Sequence, residues 1–423
     1  MTSTDAGRSA SPQRVAVIGA GIVGMSAALY LERDGHQVTV IDPHEPGTAT
    51  SFGSSGGIIT SAVRPTSTPD LLKQLPAMLL NPKSAVRIRW RYLPRLSPWL
   101  VRFLLAGRPR AVETSAAGLA AILAPASDAH RELAALAGTR DVVRPVGWVR
   151  VYESERGFAR SAFDRALMTR HGIKFDVLDA DGLRQLEPHL APGFVKGLFH
   201  AESAFACDPL RLIDGYARYF AKVGGRLLRQ SVRAIEPLNG RGARVRAEDV
   251  IGEFDSVIVC AGAWSRPFAS AIGDRVSLDT ERGYHLTIDP GSAGNLNRPV
   301  VFPERQFVLA PMPDGVRLTS GVELAGLTAP PDFTRIEALL PVAQRALPGL
   351  SDRVSRRWMG YRPSTPDSLP VIGRSPRCRA VVYAFGHGHL GLTLGPITGR
   401  LVASLVAGQR PEIDLAPYRA DRF

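Results

Sequence analysis

The stretch Arg14–Asp42 constrains the fold more than any other part of this chain. An apolar, β-branched run leads into Gly19, Gly21 and Gly24, and a second apolar strand closes on Asp42. In such a turn the first glycine permits the sharp bend, the second lets the backbone approach a pyrophosphate, and the third lets the helix lie against the strand. The helix N-terminus can bind phosphate, and an acid about 20 residues on can bind ribose hydroxyls. The sequence therefore predicts a dinucleotide-binding βαβ unit rather than an ordinary glycine-rich turn.

The loop after this unit is rich in hydrogen-bond donors. Residues 43–58 read PHEPGTATSFGSSGGI, a run of hydroxyl side chains and glycines. Directly after a ribose-binding acid, such a loop suits the second half of a dinucleotide, and a surface linker is the alternative. The candidate cofactor contacts here are Thr50, Ser51, Gly56, Gly57 and Ile58.

Two further strand ends are candidate cofactor contacts. An apolar run ends at Ala261, Gly262 and Trp264, and ligands of α/β sheets bind at the carboxyl ends of strands. Near the C-terminus a strand leads into FGHGHLGLT, residues 385–393, before a helix. This turn matches GxGxxG as text but lacks a following strand and acid, so we assign no second nucleotide site. Its N–H groups and positive helix end suit a ligand that gains negative charge, such as a reduced flavin.

Length and composition favour two domains in a globular α/β protein. The chain has 423 residues, which exceeds one typical core, and the extended segments between Leu278 and Leu324 predict a separate antiparallel sheet over the site. The three cysteines form neither a disulfide framework nor a metal-ligand pattern, which fits a reducing cytoplasm. The N-terminus lacks an apolar signal core, and no apolar run of about 18 residues indicates a membrane span.

The formal net charge is +13, and a basic segment contributes much of it. The sequence has no helix-turn-helix, zinc-finger or RNP signature, so nucleic acid is not expected as a partner. In the segment 82–110, tryptophan and tyrosine residues are interleaved with basic side chains that have no acidic counterpart, a composition typical of membrane-surface segments. The alternative is an apolar face packed on the core with solvated arginines, and we favour this alternative while keeping docking as a hypothesis. The basic residues are Lys83, Arg87, Arg89, Arg91, Arg95, Arg102, Arg108 and Arg110.

These motifs together resemble the FAD-dependent D-amino-acid dehydrogenases of the D-amino-acid oxidase and glycine oxidase superfamily. The resemblance rests on VIGAGIVG with Asp42, TSFGSSGGI, CAGAWS, RGYH, GYRPSTPDSLPVIG and FGHGHLGLT, in order from about Arg14 to Gly408. It implies an α/β fold with a Rossmann-like FAD-binding domain and a discontinuous, mainly antiparallel α+β substrate domain. The implied boundaries are 12–90, 195–270 and 355–423 for the FAD domain, and 91–194 and 271–354 for the substrate domain.

The resemblance also implies how the cofactor binds. FAD is expected in an extended conformation, and it is expected to be non-covalent because the loop TSFGSSGGI contains neither His nor Cys. The implied contacts are Gly19, Gly21, Ile22, Val23, Gly24 and Asp42 for ADP, Val232 for adenine, and Thr50, Ser51, Gly56, Gly57, Ile58, Ala261, Gly262, Trp264, Gly386, Gly388, His389, Leu390, Gly391 and Leu392 toward the flavin.

The substrate carboxylate needs a cation. Glycine-oxidase-like members carry an Arg after the Pro of the strand that matches QFVLAPM, where this chain has Met312. Arg362 in GYRP is our first candidate, followed by Arg282 and Arg305. Pairing of Arg362 with Asp367 to fix the loop is the structural alternative. The other candidate pocket residues, which either line it or assist deprotonation, are Tyr284, His285, His387 and His389.

The expected reaction is oxidative deamination at the CH–NH2 or CH–NH group of a D-amino acid. The α-hydrogen leaves as hydride to flavin N5, and water hydrolyses the imine to a 2-oxo acid. GYRPSTPDSLPVIG with FGHGHLGLT further resembles members that act on hydroxyproline-type D-imino acids. The acceptor is quinone in a cytoplasmic enzyme with peripheral contact to the inner face of the membrane, or oxygen in an oxidase of D-proline or hydroxy-D-proline. The sequence also leaves open a glycine or sarcosine-type amine oxidase, an NAD-dependent dehydrogenase and a non-enzymatic flavoprotein subunit.

Overall fold

The computed structural model describes residues 11–70, 86–238, 242–249, 251–292 and 296–423. Its strands, in chain order, are β1 (Arg14–Ile18), β2 (Gln37–Ile41), β3 (Gly57–Ile58), β4 (Val86–Ile88), β5 (Val143–Arg144), β6 (Trp148–Tyr152), β7 (Asp176–Leu178), β8 (Lys196–His200), β9 (Ala204–Ala206), β10 (Arg226–Leu228), β11 (Ala234–Pro237), β12 (Ala243–Arg246), β13 (Ile251–Phe254), β14 (Ser256–Val259), β15 (Asp279–Ile288), β16 (Val300–Phe302), β17 (Phe307–Met312), β18 (Gly315–Leu324), β19 (Val354–Ser364), β20 (Val371–Arg374) and β21 (Val381–Phe385). Its α-helices are α1 (Ile22–Arg33), α2 (Leu93–Ala106), α3 (Pro109–Leu123), α4 (Ala126–Leu136), α5 (Glu155–Ala159), α6 (Ala162–Arg170), α7 (Ala180–Leu186), α8 (Pro209–Lys222), α9 (Ser265–Ile272), α10 (Thr334–Glu337), α11 (Leu340–Ala346) and α12 (Gly391–Val406).

A six-stranded sheet carries the dinucleotide-binding motif. Its order is β10-β2-β1-β14-β21-β20, and all pairs are parallel except β20 with β21. All residues of β14 and β21 are buried, as expected for parallel strands that are covered on both faces. Neighbouring strands β1 and β14 end at the same edge, which is where ligands bind in doubly wound sheets. The Rossmann-like prediction is confirmed.

Helices α1 and α12 pack together, and small residues allow their close approach. A Cβ added to Gly399 would lie 2.6 Å from the backbone of Ser26, and one added to Gly395 would lie 2.7 Å from Ile22. These two glycines are four residues apart and so share one face of α12. The packing brings the N-terminal ends of both helices to the same side of the six-stranded sheet.

The larger sheet has nine strands and is mainly antiparallel, as predicted for the substrate domain. Its path is β19-β15-β18-β17-β16-β6-β8-β7, with β4 paired to β18. Only the β16–β6 and β18–β4 pairs are parallel. Strand β15 lies between β19 and β18, and all ten of its residues are buried.

The predicted domain boundaries differ from this pairing. Strands β4, β8 and β19 belong to the nine-stranded sheet, although the boundaries group them wholly or mostly with the FAD domain. Helix α4 packs on α12, although the boundaries place it in the substrate domain. The reason is that the chain passes repeatedly from one sheet to the other. The points at which it passes depend on side-chain contacts between distant segments, and turn motifs in the sequence do not mark them. The division into two domains itself stays a prediction.

Candidate active site

The turn between β1 and α1 is held tightly against its neighbours. Gly19 has a φ of +108°, and a Cβ there would lie 2.5 Å from the Cys260 carbonyl oxygen. A Cβ at Gly24 would overlap the Gly19 carbonyl oxygen. A Cβ at Gly21 would meet only the Ser51 Oγ, at 3.3 Å, so this glycine faces open space beside the loop. Gly19 and Gly24 are thus needed for close packing of the turn, and Gly21 leaves the turn accessible from the cavity.

Asp42 and Ser51 support this turn from outside. The Asp42 carboxylate accepts hydrogen bonds from the N–H groups of Ala20, at 2.7 Å, and His44, at 2.8 Å. The Ser51 Oγ accepts from the N–H of Ile22, at 3.1 Å, at the start of α1. Both side chains also line the cavity that opens in front of the turn. Asp42 therefore shapes the turn in addition to facing a ligand.

A cavity of about 1070 Å³ extends from this turn to the nine-stranded sheet. Ligand pockets commonly have volumes of about 300–1,000 Å³, so this one has room for a large cofactor and a small substrate. The predicted cofactor contacts that line it are Gly19, Gly21, Ile22, Val23, Asp42, Thr50, Ser51, Val232, Ala261, Gly262, Trp264, Gly388, His389, Gly391 and Leu392.

Six predicted contacts lie behind the cavity wall, because neighbouring groups cover them. Gly24 is packed on the Gly19 carbonyl, Gly56 on the Ala206 carbonyl and Gly57 on the Trp148 ring. Ile58 is fully buried in β3. The two others are Gly386, packed on Thr365, and Leu390, whose side chain joins a core cluster.

The C-terminal turn contributes glycine backbone and two histidines, His387 and His389, to the cavity wall. Gly388–Leu390 forms a short 3-10 helix that leads directly into α12. The Nε2 of buried His387 lies 3.0 Å from the Thr398 Oγ1, and burial lowers the pKa of His387 to about 3. This ring is neutral at physiological pH and is bound to the helix, so its contribution is structural.

Arg362 lies in the cavity wall, and its guanidinium crosses two neighbouring strands. Nη1 donates to the Gly321 carbonyl of β18 at 2.8 Å. A Cβ at Gly283 of β15 would collide with the guanidinium, so the missing side chain makes the space that Arg362 uses. Burial lowers the pKa of Arg362, and the charge of Glu281 opposes this effect. Among the described residues Gly321 is the one hydrogen-bond partner of the guanidinium, and its remaining N–H groups are free for a ligand.

Asp367 does not compete for this cation. Its carboxylate pairs with Arg422, with N–O distances of 2.7 and 3.1 Å. The alternative in which Arg362 only fixes its loop through Asp367 is therefore wrong.

Tyr284 lines the cavity, but its hydroxyl is already engaged. It donates to the Glu323 carboxylate at 2.5 Å and accepts from the Asp332 N–H at 3.3 Å. Burial and the bond to Glu323 raise the pKa of Tyr284 to about 12. The phenol is thus neutral, and its hydrogen bonds hold it in the cavity wall.

The structure places three candidate residues outside this cavity. His285 stacks on Trp358 with ring centroids 4.9 Å apart, and burial lowers its pKa to about 3. Arg282 is fully buried behind the sheet and donates to the Gly326 and Pro330 carbonyls. Arg305 forms a two-bond ion pair with Glu153 at 2.8 and 2.7 Å on the surface. The register of β15 against β18 shifts between Arg282 and Tyr284, and the sequence does not reveal this irregularity.

A family profile described as FAD dependent oxidoreductase matches residues 14–405. The chain belongs to this family. It is 36% identical over 421 residues to a D-amino-acid oxidase from Bradyrhizobium diazoefficiens, with 97% of this chain and 99% of that protein covered. It is 30% identical over 424 residues to a D-amino acid dehydrogenase from Cereibacter sphaeroides, with 97% and 95% covered.

Solved structures share the fold. An L-proline dehydrogenase from P. horikoshii has a TM-score of 0.76 at 17% identity and covers 97% of this chain and 98% of its own. A glycine oxidase from Geobacillus kaustophilus has a TM-score of 0.74 at 20% identity and covers 97% and 99%. At these identities the likeness concerns the fold alone.

The cavity of this FAD-dependent oxidoreductase fits its cofactor. The glycine turn and the start of α1 suit a pyrophosphate, and the start of α12 faces the same cavity. Neither helix, both fully described, carries an acidic side chain in its first turn, so nothing there repels an anion. The α1 turn would hold the nucleotide, and the space between α12 and the nine-stranded sheet would hold the flavin.

Sequence reasoning missed several residues at the substrate end of this oxidoreductase. Trp358, Tyr361 and Gly283 line the cavity, and Glu281 lies directly behind it. Isolated glycines within strands often mark the close approach of a ligand or another chain segment. Gly283, Gly321 and Gly360 follow that pattern and were the signal that could have found this end of the site.

Proposed function

We propose that this protein uses FAD to oxidise D-amino acids to 2-oxo acids, with Arg362 binding the substrate carboxylate. Relatives named D-amino-acid oxidase and D-amino acid dehydrogenase cover nearly the whole chain. The observation that carries the proposal is the Arg362 guanidinium, fixed by one carbonyl with its other N–H groups free in the cavity. Fold likeness does not decide chirality, because the structural neighbours include enzymes named for L-amino acids.

The chain's own residues orient and enclose the substrate. A small amino acid offers few contacts, so a planar two-bond contact from Arg to its carboxylate supplies much of the orientation. Bound FAD supplies the acceptor for the α-hydrogen as hydride. Tyr284 and Tyr361 narrow the space beside Arg362. Water then hydrolyses the imine outside the oxidative step.

The test is anaerobic reduction of the bound flavin by matched D- and L-amino acids, including D-proline and hydroxy-D-proline. We expect bleaching by D-enantiomers, and reduction by L-enantiomers alone would contradict the proposal. Arg362→Lys should retain FAD yet raise KM, and Arg362→Ala should lower kcat/KM on the order of 10²–10³-fold, as removal of a buried charge pair costs about 2–5 kcal/mol. Arg305→Lys, at an exposed ion pair, is the control and should change kcat/KM less than about twofold.

We further infer that residues 90–110 dock on an anionic membrane surface, which would favour quinone over oxygen as electron acceptor. Leu96, Trp99 and Phe103 face inward, and the Trp99 Nε1–H donates to the Ser364 carbonyl at 3.0 Å. This inward face packs on Ile88 and Leu324. A second apolar set points outward and comprises Trp90 (65% exposed), Val101 (55%), Leu104 (38%) and Leu105 (44%).

Charge around this outward set supports the inference. Arg91, Arg95, Arg102, Arg108 and Arg110 are exposed and have no ion-pair partner among the described residues, and Lys83 lies outside those residues. Arg87 and Arg89 pair with Asp332 and Glu323 instead. Each basic side chain near an anionic leaflet contributes about 1 kcal/mol to binding. Within the described parts of the chain, no helix has the length and hydropathy to cross a bilayer.

Flotation with vesicles of anionic or neutral lipid tests this inference. We expect binding to anionic vesicles at low salt, with loss at high salt and in a Leu104→Gln, Leu105→Gln variant. Ile251→Gln, at a remote site where the side chain is 63% exposed, is the matched control and should bind normally. Binding that ignores lipid charge, or that survives the double substitution, would contradict it.

A further inference from the structure

Glu281 is a buried carboxylate directly behind the cavity wall, where it contacts His389 and stands opposite Arg362. Its side chain is 5% exposed and lies 2.8 Å from His389 Nε2. In the β15–β19 register Glu281 stands opposite Arg362, so the two side chains share one face of the sheet. His389 and Arg362 line the cavity, whereas Glu281 does not.

The surroundings keep Glu281 ionised. Burial alone would raise the pKa of this carboxyl, but the hydrogen bond from His389 and the charge of Arg362 hold the pKa below its ordinary value. An ionised carboxylate only accepts hydrogen bonds, so the Nε2 of His389 carries the proton. The lone pair of a neutral His389 is then on Nδ1, which has no hydrogen-bond partner among the described residues.

We propose that Glu281 is a positioning residue that holds His389 as the proton acceptor for the substrate ammonium. The proposal rests on the proposed oxidation of amino acids. A carboxylate behind an imidazole sets its tautomer and orientation and stabilises the imidazolium that forms, as in other acid–histidine pairs.

The proposed step moves one proton. An amino acid in neutral water carries an ammonium group, and its α-hydrogen can leave as hydride only when the nitrogen has a lone pair. The N–H bond of the ammonium breaks, a bond forms between that proton and His389 Nδ1, and the neutral amine remains. The new imidazolium is paired with Glu281, so the pair of residues goes from a net charge of −1 to zero.

Several other titratable groups on the wall do not suit this role. The Asp164 carboxylate is paired with Arg64 and Arg150. Burial lowers the pKa of His387 and of His200 to about 3, and the Tyr284 hydroxyl is bound to Glu323. His44 lies at the nucleotide end, next to Asp42. Among the described residues, Glu281 of β15 is the recorded polar contact of the His389 ring, and Arg362 of β19 stands opposite Glu281.

The test compares pH profiles of flavin reduction for the wild type, His389→Gln and Glu281→Gln. The substrate is the D-amino acid with the highest rate in the panel above. Wild-type kcat/KM should be level between an acid limb and the pKa of the substrate amine. His389→Gln should lose this level region, because it must select free amine from solution. Its kcat/KM should be roughly 100-fold low near pH 7, within the range of general-base effects, and rise tenfold per pH unit toward the wild-type value.

Glu281→Gln should keep a histidine base but lower kcat/KM in the level region, since the imidazolium that forms loses its partner charge. Binding of propionate, which has a carboxylate and no amine, is followed by the change in flavin absorbance. Its Kd should stay within about twofold in His389→Gln, and should not rise in Glu281→Gln, because Arg362 is anchored by Gly321 and a negative charge has been removed. His189→Gln, an exposed histidine, is the matched control and should match the wild type.

Two results would overturn the proposal. One is a His389→Gln profile that runs parallel to the wild type at a lower level. The other is loss of FAD or of propionate binding together with activity, which would make the pair structural. If Glu281→Gln does not fold, His389→Gln decides alone, because its side chain is 45% exposed and its loss leaves no cavity in the core. A wild type that no D-amino acid reduces at any pH would instead contradict the proposed function.

Discussion

The two ends of the cavity are built in different ways. The nucleotide end is formed by one continuous segment, 14–42, with support from Ser51, and it offers backbone N–H groups and space left by glycines. The substrate end is formed by side chains from β15, β19 and the turn before α12, which are far apart in the chain. A backbone site can therefore be encoded within one local motif. A side-chain site depends on strand register.

Register matters at the substrate end because one residue of slip exchanges the two faces of a strand. Glu281 stands opposite Arg362, and Gly283 stands opposite Gly360. The Arg362 guanidinium then lies over Gly283 and reaches the Gly321 carbonyl. The position of one functional group thus depends on three strands at once.

The largest expected effect is at the nucleotide end. Gly21→Val should weaken FAD binding by roughly 100-fold or more, because overpacking costs about 1–3 kcal/mol and lost phosphate hydrogen bonds cost about 1.5–3 kcal/mol each. The fold should survive, since the new side chain meets only Ser51. FAD content and far-UV circular dichroism check this. Gly182→Ala, where a Cβ has ordinary contacts, is the control. A Gly21→Val protein that purifies with full FAD would contradict the view that the nucleotide end depends on the space left by glycines.

A smaller effect is expected from Gly283→Ala. This substitution tests the substrate end without replacing a polar side chain. The added Cβ would occupy the space of the Arg362 guanidinium. We expect retained FAD and a KM raised by about 10- to 100-fold, because small displacements of positioning groups carry losses of this order. Steady-state kinetics with FAD content measure it. In a double-mutant cycle Arg362→Lys should add little to Gly283→Ala, and full additivity would show that the two sites act independently.

The smallest expected effect is that of Asp42→Asn. The amide oxygen can still accept the Ala20 N–H, so the turn should persist while the charge is lost. Loss of charge assistance on a ribose hydrogen bond is worth about 1 kcal/mol, or roughly fivefold in the Kd of FAD. Titration of apoprotein with FAD gives this value. An effect as large as that of Gly21→Val would mean that Asp42 mainly holds the turn.

The sequence alone determined the Rossmann-like character of the cofactor sheet, the cofactor turn and the family. Glycine spacing and strand patterning are local, and their physical reasons do not depend on distant residues. Arg362, the first candidate for binding the carboxylate, lies in the cavity wall, and its role there stays a prediction.

Only the tertiary structure decided which polar residues meet. Arg282, His285 and Arg305 were candidates in the sequence beside Arg362 and His389. In the structure, buried carbonyls, a stacked ring and a surface ion pair occupy these three residues. No sequence motif indicated Glu281. Its proposed role depends on Arg362 in the neighbouring strand and on His389 in a turn more than 100 residues away. Side-chain direction depends on register, bulges and burial, and these are properties of the packed sheets rather than of any one segment.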